Sequence, residues 1–239
     1  MFENLKYKIK KTTIAIFILK IKFYFNFGLE KEAKYLKKNY KFNNSADIGS
    51  NTGYYSNMLS SISNKVYSFE PIKYHCINQK KIFNNKRVKV LNLGLGSRKT
   101  KKKLFIPKNN DPEASFIKKS KNFNTIYVNL QKGDQIFRNT KIDFIKIDVE
   151  GYELDVLKGL NNQIKYFKPF FLIEIEKRHN KNFVKVFRFL KRRHYNSYYL
   201  TDRNELKMIP INNIDNFIRN RQKLKFINTR KYINNFFFK

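Results

Sequence analysis

Asp47-Ile48-Gly49-Ser50-Asn51-Thr52-Gly53 separates two regular stretches of this chain. Phe42–Ile48 leads in as a strand, and Tyr54–Ile62 resumes helical spacing. Two glycines so close together make a turn that no helix tolerates. Gly49 and Gly53 would let a ligand approach the backbone. The helix that follows offers unpaired N–H groups and a partial positive charge to a carboxylate or phosphate. Asp47, just before the turn, offers its own carboxylate to a cationic amine. Two phosphate-binding patterns are not met. Counted from Gly49, a G-x-G-x-x-G fingerprint finds Asn51 and Tyr54 in its other glycine places, and no Gly-Lys-Ser/Thr closes the turn. A ligand carrying both a carboxylate and an ammonium fits better, as the methionine portion of S-adenosylmethionine does. An ordinary strand–helix turn is the alternative.

Working outward, Val66–Phe69 is a second short strand, and Glu70-Pro71 stops it. An acidic residue there, about 20 residues beyond the first strand, can accept hydrogen bonds from both hydroxyls of a ribose. Helical and strand patterns then alternate: Tyr74–Phe83, Val88–Leu93, Ile142–Ile147, Tyr152–Lys158, Phe170–Ile175 and Asn180–Arg193. Such alternation gives a doubly wound α/β fold, a parallel sheet with helices on both faces. Tyr195–Leu200 and Lys207–Ile211 flank a polar turn and read as a closing hairpin, which adds an antiparallel strand at one end of the sheet. Ligands of such folds bind at the carboxyl ends of the central strands. Between these elements, Lys99–Lys103 reads as a charged turn, Leu104–Ile106 and Thr125–Leu130 as short strands, and Asn109–Asn124 as an active-site loop or an excursion.

The second informative stretch is Asp143-Phe144-Ile145-Lys146-Ile147-Asp148-Val149-Glu150-Gly151. A lysine inside a strand buried on both faces is out of place. Lys146 needs a partner, which Asp148 or Glu174 can supply. Asp148 lies at the carboxyl end of the strand and Glu150 two residues on, so both can reach the site. Either can take a proton from an acceptor hydroxyl. Either can instead ligate a divalent metal, although no metal-ligand spacing marks one. An ion-pair cluster that only fixes the loop is the structural alternative.

The chain has 239 residues, which suits one α/β domain with short additions. A single Cys, Cys76, leaves no intramolecular disulfide and fits a reducing compartment. The balance of 51 Lys+Arg against 18 Asp+Glu, 51 − 18 = +33, attracts polyanions such as nucleic acid, anionic lipid or acidic glycan. The abundance of Lys, Asn, Ile, Phe and Tyr, all with A/T-rich codons, is the alternative: base composition could supply much of the charge without a selected partner. Met1–Lys11 is basic and Thr12–Leu19 mostly apolar, but Lys20 and Lys22 break the run and no cleavage site follows. The run is too short for a transmembrane helix. It reads as a helix packed on the domain, with contact at an anionic membrane surface as the alternative. The expected location is cytoplasmic, with peripheral association at the inner membrane face as that alternative's consequence.

Asp47–Gly53, Phe69-Glu70-Pro71 and Ile145-Lys146-Ile147-Asp148-Val149-Glu150-Gly151-Tyr152-Glu153 together resemble the FkbM-type methyltransferases over about residues 42–176. The Lys-x-Asp-x-Glu-Gly-x-Glu stretch is the most specific part. The resemblance implies a class I methyltransferase (Rossmann-like) fold with a mostly parallel seven-stranded sheet and S-adenosylmethionine as donor. It implies O-methylation of a hydroxyl on a glycan sugar or natural product. Residues 1–41 then form a basic helical extension, 42–211 the methyltransferase domain and 212–239 a basic aromatic tail. The cofactor-binding set is Asp47, Gly49, Ser50, Asn51, Gly53, Tyr54, Glu70 and Asn92, the last at the adenine pocket; the catalytic set is Asp148, Glu150 and Lys146. Two departures are Asn129–Asp134, a weak match to the Leu-Asp pair of the family, and the extra glycine in Asn92–Gly96. The rival readings are an RNA methyltransferase using basic clusters interleaved with Tyr and Phe, and a non-catalytic protein that docks on an anionic surface.

Overall fold

The computed structural model describes residues 13–24, 28–83, 87–108, 113–117, 122–227 and 229–239. The elements, in chain order, are α1 (Thr13–Tyr24), α2 (Lys31–Asn39), β1 (Phe42–Ile48), α3 (Tyr54–Ser60), β2 (Ser63–Phe69), α4 (Lys73–Ile82), β3 (Val88–Leu91) and β4 (Gly94–Leu95). There follow β5 (Thr100–Pro107), β6 (Phe123–Gln131), α5 (Gly133–Ile136), β7 (Phe144–Ile147), α6 (Glu153–Gly159) and β8 (Phe170–Glu174). The last are α7 (Val184–Lys191), β9 (Ser197–Leu200), β10 (Leu206–Ile209), α8 (Ile214–Arg221) and β11 (Asn235–Phe238).

The main sheet runs β10-β9-β11-β8-β7-β1-β2-β3. The β3-β2-β1-β7-β8 block is parallel throughout. Its central strands β7 and β8 are short and mostly apolar because both faces are covered. Ile145, Ile147, Ile173 and Phe171 turn to one face, against Val156 and Leu157 of α6 and Val186, Phe187 and Leu190 of α7. Phe144, Leu172 and Val66 turn to the other, against Ala33 and Leu36 of α2 and Met58 and Leu59 of α3. The core thus lies in two layers, one on each side of the sheet.

The sheet has eight strands, not seven, and the difference lies at the C-terminal end. The expected hairpin exists: β10 pairs antiparallel with β9 and forms the edge. However, β9 does not reach β8. Asn235–Phe238 inserts between them, antiparallel to both. Residues 212–239 are therefore no appended tail. They supply α8, whose Ile214 and Ile218 are buried, and an interior strand. Phe236 and Phe238 pack on Phe187 below the sheet, while Phe237 packs on Tyr35 and Phe170 above it. Three consecutive phenylalanines hide a period of two, because both faces of an interior strand are apolar.

A smaller sheet, β4-β6-β5, lies beside the main one. It overturns the reading of Lys99–Lys103 as a turn, since Thr100–Lys103 opens β5. Lys101 and Lys103 point to solvent and Leu104 inward, the alternation of a half-buried strand. Of the expected loop 109–124, residues 109–112 and 118–121 lie outside the described residues. Ser115 bridges to Phe105, and Phe123 and Asn124 belong to β6. Of the expected N-terminal extension, residues 1–12 and 25–27 also lie outside the described residues, while α1 and α2 are helices packed on the domain. No helix among the described residues is long and apolar enough to cross a membrane.

Candidate active site

The register of the sheet builds the site. Phe69 pairs with Ile48, Ile48 with Ile147, and Ile147 with Ile173. The next residue on each chain segment, Glu70, Gly49, Asp148 and Glu174, therefore stands in one row at the carboxyl ends of β2, β1, β7 and β8. Asn235 of β11 pairs with Glu174 and extends the row. A cavity of about 450 Å³ opens over it. Asp47, Gly49, Ser50, Asn51, Tyr54, Glu70, Lys146, Asp148 and Glu150 all line it. Its apolar side is Pro71, Ile72, Leu95, Leu104 and Phe116.

The turn after β1 is fixed from both sides. The Gly49 and Ser50 N–H groups both donate to the Phe69 carbonyl at 3.0 Å. Asp148 N–H donates to the Ile48 carbonyl at 2.9 Å. Gly49 adopts φ +83°, and a Cβ there would sit 1.8 Å from the Asp148 carbonyl oxygen. Gly53, at φ +88°, begins α3 against the Phe83 ring and does not itself line the cavity. Ser50 is tied inward by Ser68 and Gln79 at 2.7 and 2.8 Å.

Glu70 is buried, and each carboxylate oxygen accepts a backbone N–H, from Asn51 and from Ile72, both at 2.7 Å. Two such bonds lock its orientation. Asn51 provides its N–H from a left-handed conformation, φ 48°. Asp47 is 1% exposed and accepts from the Ser56 hydroxyl at 2.6 Å. Burial pushes its pKa up to about 6, against the opposing pull of Ser56 and Lys146. Asn92 departs from expectation. Its amide donates to the Glu70 and Pro71 carbonyls, both at 3.0 Å, and it does not line the cavity. It ties the end of β2 in place, and Gly94 and Leu95 take the lining position instead.

Lys146 is completely buried and anchors the acidic side. Its Nζ lies 3.6 Å from Asp148, 3.8 Å from Glu174, 3.3 Å from the Asn235 side-chain oxygen and 5.0 Å from the centre of the Tyr55 ring. Burial alone would lower its pKa; the carboxylates of Asp148, Glu174, Glu30 and Asp47 outweigh it and hold the ammonium protonated. Glu174 is pushed well up by burial and by Asp148, despite Lys146. Glu30, which sequence reasoning did not single out, accepts from the Tyr55 hydroxyl at 2.7 Å and lines the cavity. Asn235 links it to Lys146. Nothing local marks either residue, since they meet across 205 positions of chain.

The cluster gives a sharp expectation for Lys146→Met. Breaking a buried pair leaves uncompensated charge and costs about 3–5 kcal/mol. Urea unfolding at neutral pH should show that loss, and the loss should shrink as pH falls and the orphaned carboxylates take up protons. A variant as stable as the parent at neutral pH would show that Lys146 is not the charge that holds this row.

The remaining motif residues shape the rim. Glu150, at φ 53°, and Gly151, at φ 102°, form a left-handed pair. A Cβ on Gly151 would meet the His179 carbonyl oxygen at 2.5 Å. Glu153 is buried and accepts from Gly151 N–H at 2.6 Å and from the Asn180 amide at 3.0 Å. His179 Nδ1 faces the Glu150 carboxylate, which fixes that side chain from behind. The Ser115 hydroxyl donates to the Glu150 carbonyl at 2.7 Å. The Lys-x-Asp-x-Glu-Gly-x-Glu pattern is thus a charge anchor, a strand-end carboxylate, a rim carboxylate, a close backbone crossing and a loop tie. No group of three or more His, Cys, Asp or Glu residues able to hold a metal occurs among the described residues.

Comparison with known proteins bears on the fold and the family. No curated protein matches the chain. Among solved structures, methyltransferase FkbM from Methylobacillus flagellatus KT is similar at 16% identity and a TM-score of 0.51. The match covers 82% of this chain and 43% of that one, so the chain spans less than half the length of that structure. An rRNA methylase from Streptococcus thermophilus matches at 10% identity and a TM-score of 0.49, over 87% of this chain and 91% of that one. Precorrin-6y C5,15-methyltransferase from Geobacter metallireducens GS-15 matches at 9% identity and a TM-score of 0.44, over 87% and 84%. At these identities the likeness speaks for the fold alone, and of these three only the first has a TM-score that carries weight. The methyltransferase FkbM domain profile matches residues 47–197, from Asp47 at the end of β1 through β7 and β8 to the start of β9. The chain belongs to the methyltransferase FkbM family.

Proposed function

We propose that this chain moves the methyl group of S-adenosylmethionine to a hydroxyl oxygen of a sugar or natural-product acceptor. The observation that carries this reading is the row Glu70–Gly49–Asp148 beneath one cavity. The residues fit the cofactor part by part. Glu70, locked by two N–H groups, presents acceptors to a ribose diol. Asp47 is a buried carboxylate suited to an ammonium, and the Pro71, Ile72, Leu95, Leu104 and Phe116 side is an apolar slot for an adenine ring. When bound, the cofactor supplies an electrophilic methyl group on a sulfonium.

The chain's own residues then hold and deprotonate the acceptor. Asp148 takes the hydroxyl proton on its carboxylate as the oxygen bonds to carbon, and Glu150 is the second candidate for that role. Lys146 keeps its proton and positions Asp148. Placing the two reactants in line supplies most of the acceleration. The test is transfer of labelled methyl to hydroxyl-bearing glycans and small molecules. Labelled acceptor whose methyl resists hydrolysis as an ether supports the reading; label on nitrogen or carbon overturns it.

Asp47 sets a pH dependence. Its folded-state pKa lies above that of an unfolded aspartate, so burial favours the protonated form. That contribution to stability is present below the unfolded pKa and is lost as pH rises through about 6. An ammonium ligand needs the anion. Affinity for S-adenosylhomocysteine should therefore fall about tenfold per unit as pH drops below about 6. Calorimetric titration from about pH 5 to pH 8 measures this. Asp47→Asn should bind more weakly with a flat profile; a flat profile in the unmodified chain would remove Asp47 from the amine site.

A second reading, RNA as acceptor, is favoured by one surface feature. Tyr127, 63% exposed on β6, lies between Lys101 and Lys103, whose Nζ atoms are 5.9 and 5.7 Å from the ring centre. Bases stack on such platforms. Label transferred to RNA rather than to hydroxyl-bearing small molecules would decide for it.

A further inference from the structure

Among the described residues, the outer face of α1 is uncovered and carries three exposed apolar side chains within two turns. At about 100° per residue, the helix presents two opposite apolar stripes. Ile16 and Phe23 face inward and are buried, with Leu19 beside them. Phe17, Ile18 and Ile21 face outward and are 62%, 46% and 38% exposed. Lys20 and Lys22, both exposed, flank the outward stripe on either side. The helix contains no acidic residue.

The neighbouring surface repeats the pattern. α1 packs against α4, whose exposed residues are Lys73, Ile77, Lys80 and Lys81, again with no acid in the helix. The sequence before α1 adds Lys6, Lys8, Lys10 and Lys11 against Glu3. The helix is apolar on two faces rather than strongly amphipathic, and its outer face sets three large apolar side chains in water within a frame of lysines. With 12 residues the helix is too short to span a bilayer. Phosphate-backbone ligands call for cations and stacking rings, and they give Ile18 and Ile21 nothing to bury against. A lipid surface satisfies both sets of residues.

We propose that α1 and the adjoining face of α4 dock on an anionic bilayer, with Phe17, Ile18 and Ile21 inserted at the acyl boundary and the lysines on the headgroups. Phe23 packs edge-on against Tyr54, which lines the cavity, so the docking helix and the cavity share a wall. The proposal does not depend on the methyl-transfer reading.

The test is co-sedimentation of the 239-residue chain with phosphatidylcholine vesicles containing roughly one-third phosphatidylglycerol, beside vesicles of phosphatidylcholine alone. The chain should bind the anionic vesicles and leave the neutral ones. Replacing Phe17, Ile18 and Ile21 together by Ser should weaken binding on the order of tenfold or more. The three side chains face outward, so the variant should unfold at the parent's temperature. If it does not, Lys20→Glu with Lys22→Glu tests the same face and should weaken binding comparably. Absence of binding to anionic vesicles overturns the proposal. Equal binding by the triple variant does so too, because charge alone would then suffice. So does self-association through this face without vesicle binding, or retention of RNA but not vesicles.

Discussion

Gly49→Ala is expected to abolish binding of S-adenosylhomocysteine and to destabilise the fold by about 4 kcal/mol or more, the range reached only by severe local conflicts. Two costs act together. The backbone there is left-handed, at φ +83°, which disfavours any Cβ. The added carbon would also lie 1.8 Å from the Asp148 carbonyl oxygen, which is main chain and cannot swing aside. Relief requires β1 and β7 to part at their carboxyl ends, yet Asp148 N–H is held to the Ile48 carbonyl and Gly49 N–H to Phe69. Parting them separates Asp148 from Glu70 and opens the row that defines the cavity. Thermal unfolding and calorimetry together check this. If Gly49→Ala bound the ligand like the parent, the turn would have slack that its hydrogen bonds and close crossing do not provide.

Asp148→Asn should leave cofactor binding nearly intact and lower turnover by roughly 10²- to 10⁴-fold, the usual contribution of a positioned base. Asn keeps the shape and the strand-end position but cannot take the proton. It also removes one anion from around Lys146, which Glu174 still faces at 3.8 Å. Four carboxylates compete for that single ammonium, so losing one should cost little stability. Loss of turnover at saturation with an unchanged affinity for S-adenosylhomocysteine is the signature. Normal turnover in this variant would move the role to Glu150, whose carboxylate is backed by His179.

The parts of the site legible in sequence are those whose chemistry is local. One strand, one turn and one helix contain Asp47, Gly49, Ser50, Asn51 and Tyr54, so their grouping at one cavity follows from a single crossover. Glu70 ends the neighbouring strand. Lys146 stood out because an ammonium inside an apolar strand needs carboxylates, and Asp148 and Glu174 do lie beside it. Asn92 shows where this fails. A polar residue just past a strand end can turn into the cavity or back onto the chain, and no neighbour in sequence says which. Glu30 and Asn235 were out of reach because their partners come from opposite ends of the chain. The same distance hid the last strand. Phe236–Phe238 has no alternation to read, and its place between β8 and β9 is set by two aromatic layers that sequence order does not reveal. The Lys-rich start of β5 was lost to charge, although its exposed and inward residues alternate as a strand's should.

The most direct measurement is the thermal unfolding of the purified chain with increasing S-adenosylhomocysteine at about pH 7.5, where Asp47 is ionised, with Gly49→Ala as reference. The site described here predicts a saturable rise in midpoint that grows with ligand excess, as binding to the native state alone requires, and no rise in the variant. A well-folded chain whose midpoint does not move at any ligand concentration would contradict the cofactor site itself.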